Sequence, residues 1–178
     1  MKKLIIAAAM VCATAFAQAA TVNWSISGVK AEGNTSPTAG WSVMAFYTEL
    51  NAGFDAIEAA INAGTASTLA FDTASLTVSM SKGKVAAKDA TVAALDTSKN
   101  YDFYFVVFNN ADATKATKYA MVADPNKEYS SMKENYKGAA TFSSSTPWEE
   151  ISAPVIPEPT TGLLVLLGVA GLALRRRA

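Results

Sequence analysis

The chain has 178 residues, room for one ordinary domain once its two apolar ends are set aside, and about 45% of the remaining positions are apolar, an ordinary globular value. Residues 20–156 hold 10 basic and 14 acidic side chains, a formal charge of −4 spread evenly, which excludes the basic stripe that a nucleic-acid partner requires. With no histidine and with Cys12 as the lone cysteine, the sequence also excludes Ser-His and Cys-His nucleophile pairs, a disulfide within the body and most catalytic zinc sites.

Residues 1–19 read as a secretory signal peptide. Lys2 and Lys3 form its positive start, residues 4–16 its apolar stretch, and Ala17-Gln18-Ala19 a small-x-small cleavage site that places the cut before Ala20. Ala9-Met10-Val11 precede Cys12, unlike the leucine and two small residues of a lipoprotein signal, so lipidation at Cys12 is disfavoured. The partners expected at this end are the general secretory translocon and signal peptidase.

Residues 21–29 alternate, with Val22, Trp24 and Ile26 on one face and Asn23, Ser25 and Ser27 on the other, the period of a half-buried strand. Residues 41–48 are apolar on both faces, as expected of a strand covered on both sides. Phe54, Ile57, Glu58 and Ile61 fall at helical spacing, which predicts one short helix over residues 53–62 with Asn51 as N-cap and Gly64 as stop. Leu76, Val78 and Met80 alternate again, Ser81-Lys82-Gly83-Lys84 reads as a turn, and residues 85–95 as the returning strand of a hairpin. Residues 101–109 oppose Phe103, Phe105 and Val107 to Tyr104, Val106 and Phe108, a second strand buried on both faces. Residues 119–123 form a shorter strand, ended by Asp124-Pro125-Asn126-Lys127 as a turn. Five to eight strands with one helix predict an antiparallel β-sandwich over residues 20–151, with a partly open barrel as the alternative.

Within this body few residues nominate chemistry, and neither a cofactor nor a metal is expected. Glu149-Glu150, after Trp148, is the most suggestive carboxylate cluster for a histidine-free glycosidase, but neighbours on a strand point to opposite faces. Asn109-Asn110-Ala111-Asp112 offers oxygen ligands of the kind Ca²⁺ takes, without the spacing of a calcium loop. Trp24, Trp41, Trp148, Tyr129 and Tyr136 are the aromatics able to stack on sugar rings. Trp24 and Trp41 lie on core faces of strands, which leaves Trp148 as the expected glycan contact.

Residues 152–156 read as a linker and residues 157–178 as a separate tail. A helix over about residues 160–174 spans roughly 22 Å at 1.5 Å per residue, short against a bilayer core of about 30 Å. Arg175, Arg176 and Arg177 would stay in the cytoplasm by the positive-inside rule, which puts the body across the membrane, as the signal peptide independently requires. Pro157 and Pro159 hold Glu158 in an extended segment that a protease can grip.

Pro157-Glu158-Pro159, the apolar run of residues 163–174 and the terminal Arg175-Arg176-Arg177 together resemble the PEP-CTERM sorting domain of Gram-negative bacteria. The resemblance covers about 23 of the 178 residues and carries no activity over to the body. It implies exosortase as a partner, an inner-membrane intermediate with its body in the periplasm, a final place at the cell surface or outside the cell, and an association with exopolysaccharide or biofilm. The expectation is therefore a non-enzymatic exported surface or matrix protein. A carbohydrate-binding module using Trp148 is the alternative, and a glycosidase with paired carboxylates a remote one.

Overall fold

The computed structural model describes residues 20–92, 95–96, 99–127 and 135–152. The expected signal peptide with Ala17 and Ala19, Tyr129, the sorting residues Pro157, Glu158 and Pro159, the expected membrane helix and Arg175 to Arg177 lie outside the described residues. No helix among the described residues is long and apolar enough to cross a membrane.

The described chain is mainly β. Its strands are β1 (Ala20–Val29), β2 (Ser42–Glu49), β3 (Asp72–Ser75), β4 (Thr77–Ser79), β5 (Lys82–Val92), β6 (Tyr101–Phe108), β7 (Lys118–Lys127), β8 (Asn135–Thr141) and β9 (Trp148–Glu150), with one α-helix, α1 (Asp55–Asn62). They form a four-stranded sheet in the order β4-β5-β1-β8 and a five-stranded sheet in the order β3-β2-β6-β7-β9. Among the described residues the two sheets do not close into one barrel.

β1 shows how the alternation in sequence becomes packing. Val22, Trp24 and Ile26 are buried in a core that also takes Val43 and Ala45 from β2 and Phe103, Phe105 and Val107 from β6, so each sheet supplies one wall of the same apolar layer. The Trp24 and Phe105 rings stack across that layer with centroids 5.7 Å apart. On the other face of β1, Asn23 donates to Asp89 at 2.7 Å and Ser27 meets Thr141, as polar side chains facing solvent should.

β6 is buried at every position because its second face is covered as well. Tyr104, Val106 and Phe108 join Met44, Phe46 and Tyr119 in a second core beneath Ile57 and Ile61 of α1. The helical period of the sequence thus serves to roof the five-stranded sheet, with Asp55 and Glu58 in the first turn where the helix dipole favours acids. Asn51 is not the N-cap. Phe54 occupies that position without a side-chain cap, while Asn51 takes φ 65° in the preceding turn and its amide donates to Asp102.

Three further expectations are corrected. The four-stranded sheet is mixed, since β8 runs parallel to β1 from Thr21↔Asn135 to Ser27↔Thr141. Asp124 to Lys127 continues β7: Phe103 pairs with Asp124 and Tyr101 with Lys127, so β7 carries one extra residue there. Pro125, lacking an N–H, is tolerated at such a bulge. The chain also crosses from one sheet to the other at Leu76, between β3 and β4, and Leu76, Val78 and Met80 do not share one buried face: Leu76 is buried, while Met80, in the turn after β4, is 96% exposed.

The β4–β5 turn is Met80-Ser81, with Lys82, Gly83 and Lys84 already in the strand. Both turn residues are left-handed, at φ 49° and 58°, as a two-residue type I′ hairpin demands and as Asn-Gly would supply without strain. Replacing the pair by Met80→Asn with Ser81→Gly is expected to raise stability by about 1 kcal/mol. A urea midpoint that fails to rise would show that this turn carries no strain.

Candidate functional site

The described residues end just after β9, where the chain leads on to the expected sorting tail. β9 pairs with the start of β7 through Lys118↔Glu150 and Ala120↔Trp148. Beyond it the Ile151 amide donates to the Thr117 carbonyl at 2.9 Å and the Ser152 amide to Asn62 Oδ1 at 3.0 Å. The last described residues are thus fastened to β7 and to the end of α1, and the chain passes from there to the tail.

Trp148 is half-buried and held in one orientation. Its indole N–H donates to the Lys30 carbonyl at 3.0 Å, and its ring meets Trp41 edge to face with centroids 5.5 Å apart. What remains open of the ring walls a polar depression of about 220 Å³ between Lys30–Asn34 and Ser143–Pro147. The other aromatics divide differently. Trp24 and Tyr136 are fully buried and present no face for a sugar, while Trp41 is partly buried against the core, as Trp148 is. Tyr136 spends its hydroxyl on the Lys99 carbonyl at 3.0 Å, a correction to its place among the sugar-stacking candidates.

Glu149 and Glu150 diverge, as strand neighbours must. Glu149 accepts from the Tyr119 hydroxyl at 2.5 Å beside the second core, where burial and then the Glu149 carboxylate push the phenol far above its ordinary pKa. Glu150 faces Lys118 at 3.7 Å, and Lys118 is held more closely by Glu32 at 2.7 Å. The Glu32 hydrogen bond, more than any other cause, raises the Lys118 pKa.

The 109–112 loop uses its oxygens on itself. Asn109 Oδ1 accepts from the Thr117 and Lys118 amides, and Asn110 Oδ1 from the Asp112 amide. Asp112 accepts from the Thr114 hydroxyl and amide and pairs with Lys115 at 3.0 Å, contacts that hold its carboxyl down to about 2. Among the described residues no three acidic, cysteine or histidine side chains are grouped so as to hold a metal ion.

Two features of the surface were not read from the sequence. One is a groove between the end of α1 and the 111–117 segment, with cavities of about 430 and 520 Å³ that share Ile61, Gly64, Ala113 and Thr114. The other is a cleft of about 310 Å³ beside the Trp148 depression, where Lys30 and Lys82 face Asn34, Ser143 and Ser144. Its residues come from three separate stretches of chain, which no local pattern in the sequence brings together.

The comparison with known proteins decides the tail. Residues 155–177 match the family model of the PEP-CTERM protein-sorting motif. The chain carries a PEP-CTERM sorting motif. The motif implies exosortase as processing partner, export of the body, and a membrane-held intermediate on the way to the surface. The match lies wholly outside the described residues. No curated protein and no solved structure matches the chain.

Proposed function

We propose that this is a non-enzymatic surface or extracellular-matrix protein, a β-sandwich body delivered by exosortase processing of its PEP-CTERM tail. The observation that carries the reading is the motif over residues 155–177, with Pro-Glu-Pro, apolar run and arginines in order. The signal peptide of residues 1–19 supports the same route, because it sends the body across the membrane in which residues 160–174 would lodge. An apolar helix of roughly 22 Å is marginal as a permanent span of about 30 Å, which suits a temporary hold for an intramembrane enzyme better than an anchor. A sequence without histidine supports the non-enzymatic part. Exopolysaccharide or biofilm is the setting that agrees with this route.

The test is mass spectrometry of the mature C-terminus in cells with and without exosortase. The expected result is a chain lacking Arg175-Arg176-Arg177 at the surface when the enzyme is present and a full-length membrane-held chain when it is deleted. An intact arginine end in both overturns the proposal.

A second reading concerns what the delivered body does. The fixed indole of Trp148, walling a polar depression, favours carbohydrate binding.

A further inference from the structure

Among the described residues, the cleft next to Trp148 is lined by two cations and no anion. Lys30 and Lys82 are the charged side chains of its lining, and among the described residues neither forms an ion pair. Five other lysines of the body, Lys88, Lys99, Lys115, Lys118 and Lys127, each sit within 4 Å of an Asp or Glu, while Lys84, which like Lys30 and Lys82 forms no ion pair among the described residues, lies outside the cleft. The acid nearest to Lys30 in sequence, Glu32, is already engaged by Lys118 at 2.7 Å.

The topology forces the two cations together. Val29 of β1 and Gly83 of β5 form the last pair of their ladder, and Lys30 and Lys82, the next residue on each chain, line the same cleft. Like charges opposed across a strand pair repel. In a body of net charge −4, the pair is left without a counter-ion among the described residues. The repulsion is relieved if an anion from outside lies between them.

We propose that this cleft binds the carboxylates of an acidic polysaccharide, a uronate-bearing chain whose sugar ring rests on Trp148; the proposal deepens the carbohydrate-binding reading and rests on it. The neighbouring groups fit a sugar acid better than a bare anion. Asn34, Ser143 and Ser144 border both the Lys30–Lys82 cleft and the Trp148 depression and supply hydroxyl and amide partners for sugar hydroxyls, while Glu32, which also lines the depression, is held by Lys118. The Trp148 hydrogen bond ends on the carbonyl of Lys30 itself, which ties the aromatic wall to the cationic one. A densely charged polyanion would meet the acidic remainder of the body, whereas a chain with one carboxylate per sugar matches two lysines in one cleft.

The test measures binding of the purified full-length protein, in detergent, to three immobilised polymers: alginate as polyuronate, dextran as neutral glycan, and polyglutamate as a polyanion without sugar. Alginate should bind best and weaken as salt is raised. Lys30→Gln and Lys82→Gln should each lower alginate affinity about tenfold, the scale of one lost charge-assisted contact, while Lys115→Gln leaves it unchanged. Equal binding of alginate and dextran, unaffected by Lys30→Gln and Lys82→Gln, overturns the acidic ligand and leaves carbohydrate binding standing. Binding to neither glycan overturns both. Polyglutamate bound as tightly as alginate overturns the sugar specificity and with it the proposal.

Discussion

Trp24→Ala is expected to cost about 4 kcal/mol, a large part of the 5–15 kcal/mol that holds a domain of this size together. Three contacts converge on this side chain. It is fully buried, its ring stacks on Phe105 of the opposite sheet, and its indole N–H donates to Asp72 Oδ2 at 2.7 Å. Asp72 belongs to the five-stranded sheet, yet it also receives Lys88 of the four-stranded sheet at 2.9 Å, and the Lys88 ammonium lies 5.7 Å from the Trp24 ring centre. The carboxylate is thus a polar fastening between the two sheets at the rim of an otherwise apolar layer. Trp24→Phe separates the contributions: it keeps most of the buried area and removes the bond to Asp72, at an expected cost of about 2 kcal/mol. Urea unfolding with an unchanged slope would measure both. A Trp24→Phe variant as stable as the parent would show that the Asp72 bond holds nothing.

Strands whose faces contrast were legible in the sequence. β1 alternates because one face meets the core and the other meets water, and β6 does not alternate because α1 roofs its second face. β8 was not legible. Its Gly138 and Ala140 sit where a strand should show large apolar residues, and the space above Gly138 is filled by the Phe105 ring of the opposite sheet, 2.9 Å from where a Cβ would stand. The apolar signal for that position is thus written in β6. Its parallel pairing with β1 joins residues more than a hundred positions apart, which no local period encodes. The same limit applies to the lysine cleft, since the Val29↔Gly83 pairing that creates it is a fact of register. The sorting tail, by contrast, was legible because its parts are contiguous and an enzyme reads them in sequence order.

Gly28→Ala is the second substitution expected to be severe, at about 3 kcal/mol, and it would act at the floor of the lysine cleft. Gly28 takes φ 77°, a region that costs an ordinary residue about 1–2 kcal/mol. A Cβ there would also lie inside the contact distance of the Phe142 carbonyl oxygen. That oxygen has little freedom to retreat, because the Phe142 amide donates to the Ser27 carbonyl at 2.8 Å and the Phe142 side chain is buried in the core. Gly33 provides the contrast: its φ is 69°, but a Cβ built on it meets nothing within 4 Å. Gly33→Ala should therefore cost only the conformational part, about 1 kcal/mol. The difference between the two midpoints isolates the collision with Phe142. If both variants lose the same stability, the close approach of β1 to the end of β8 does not explain the glycine.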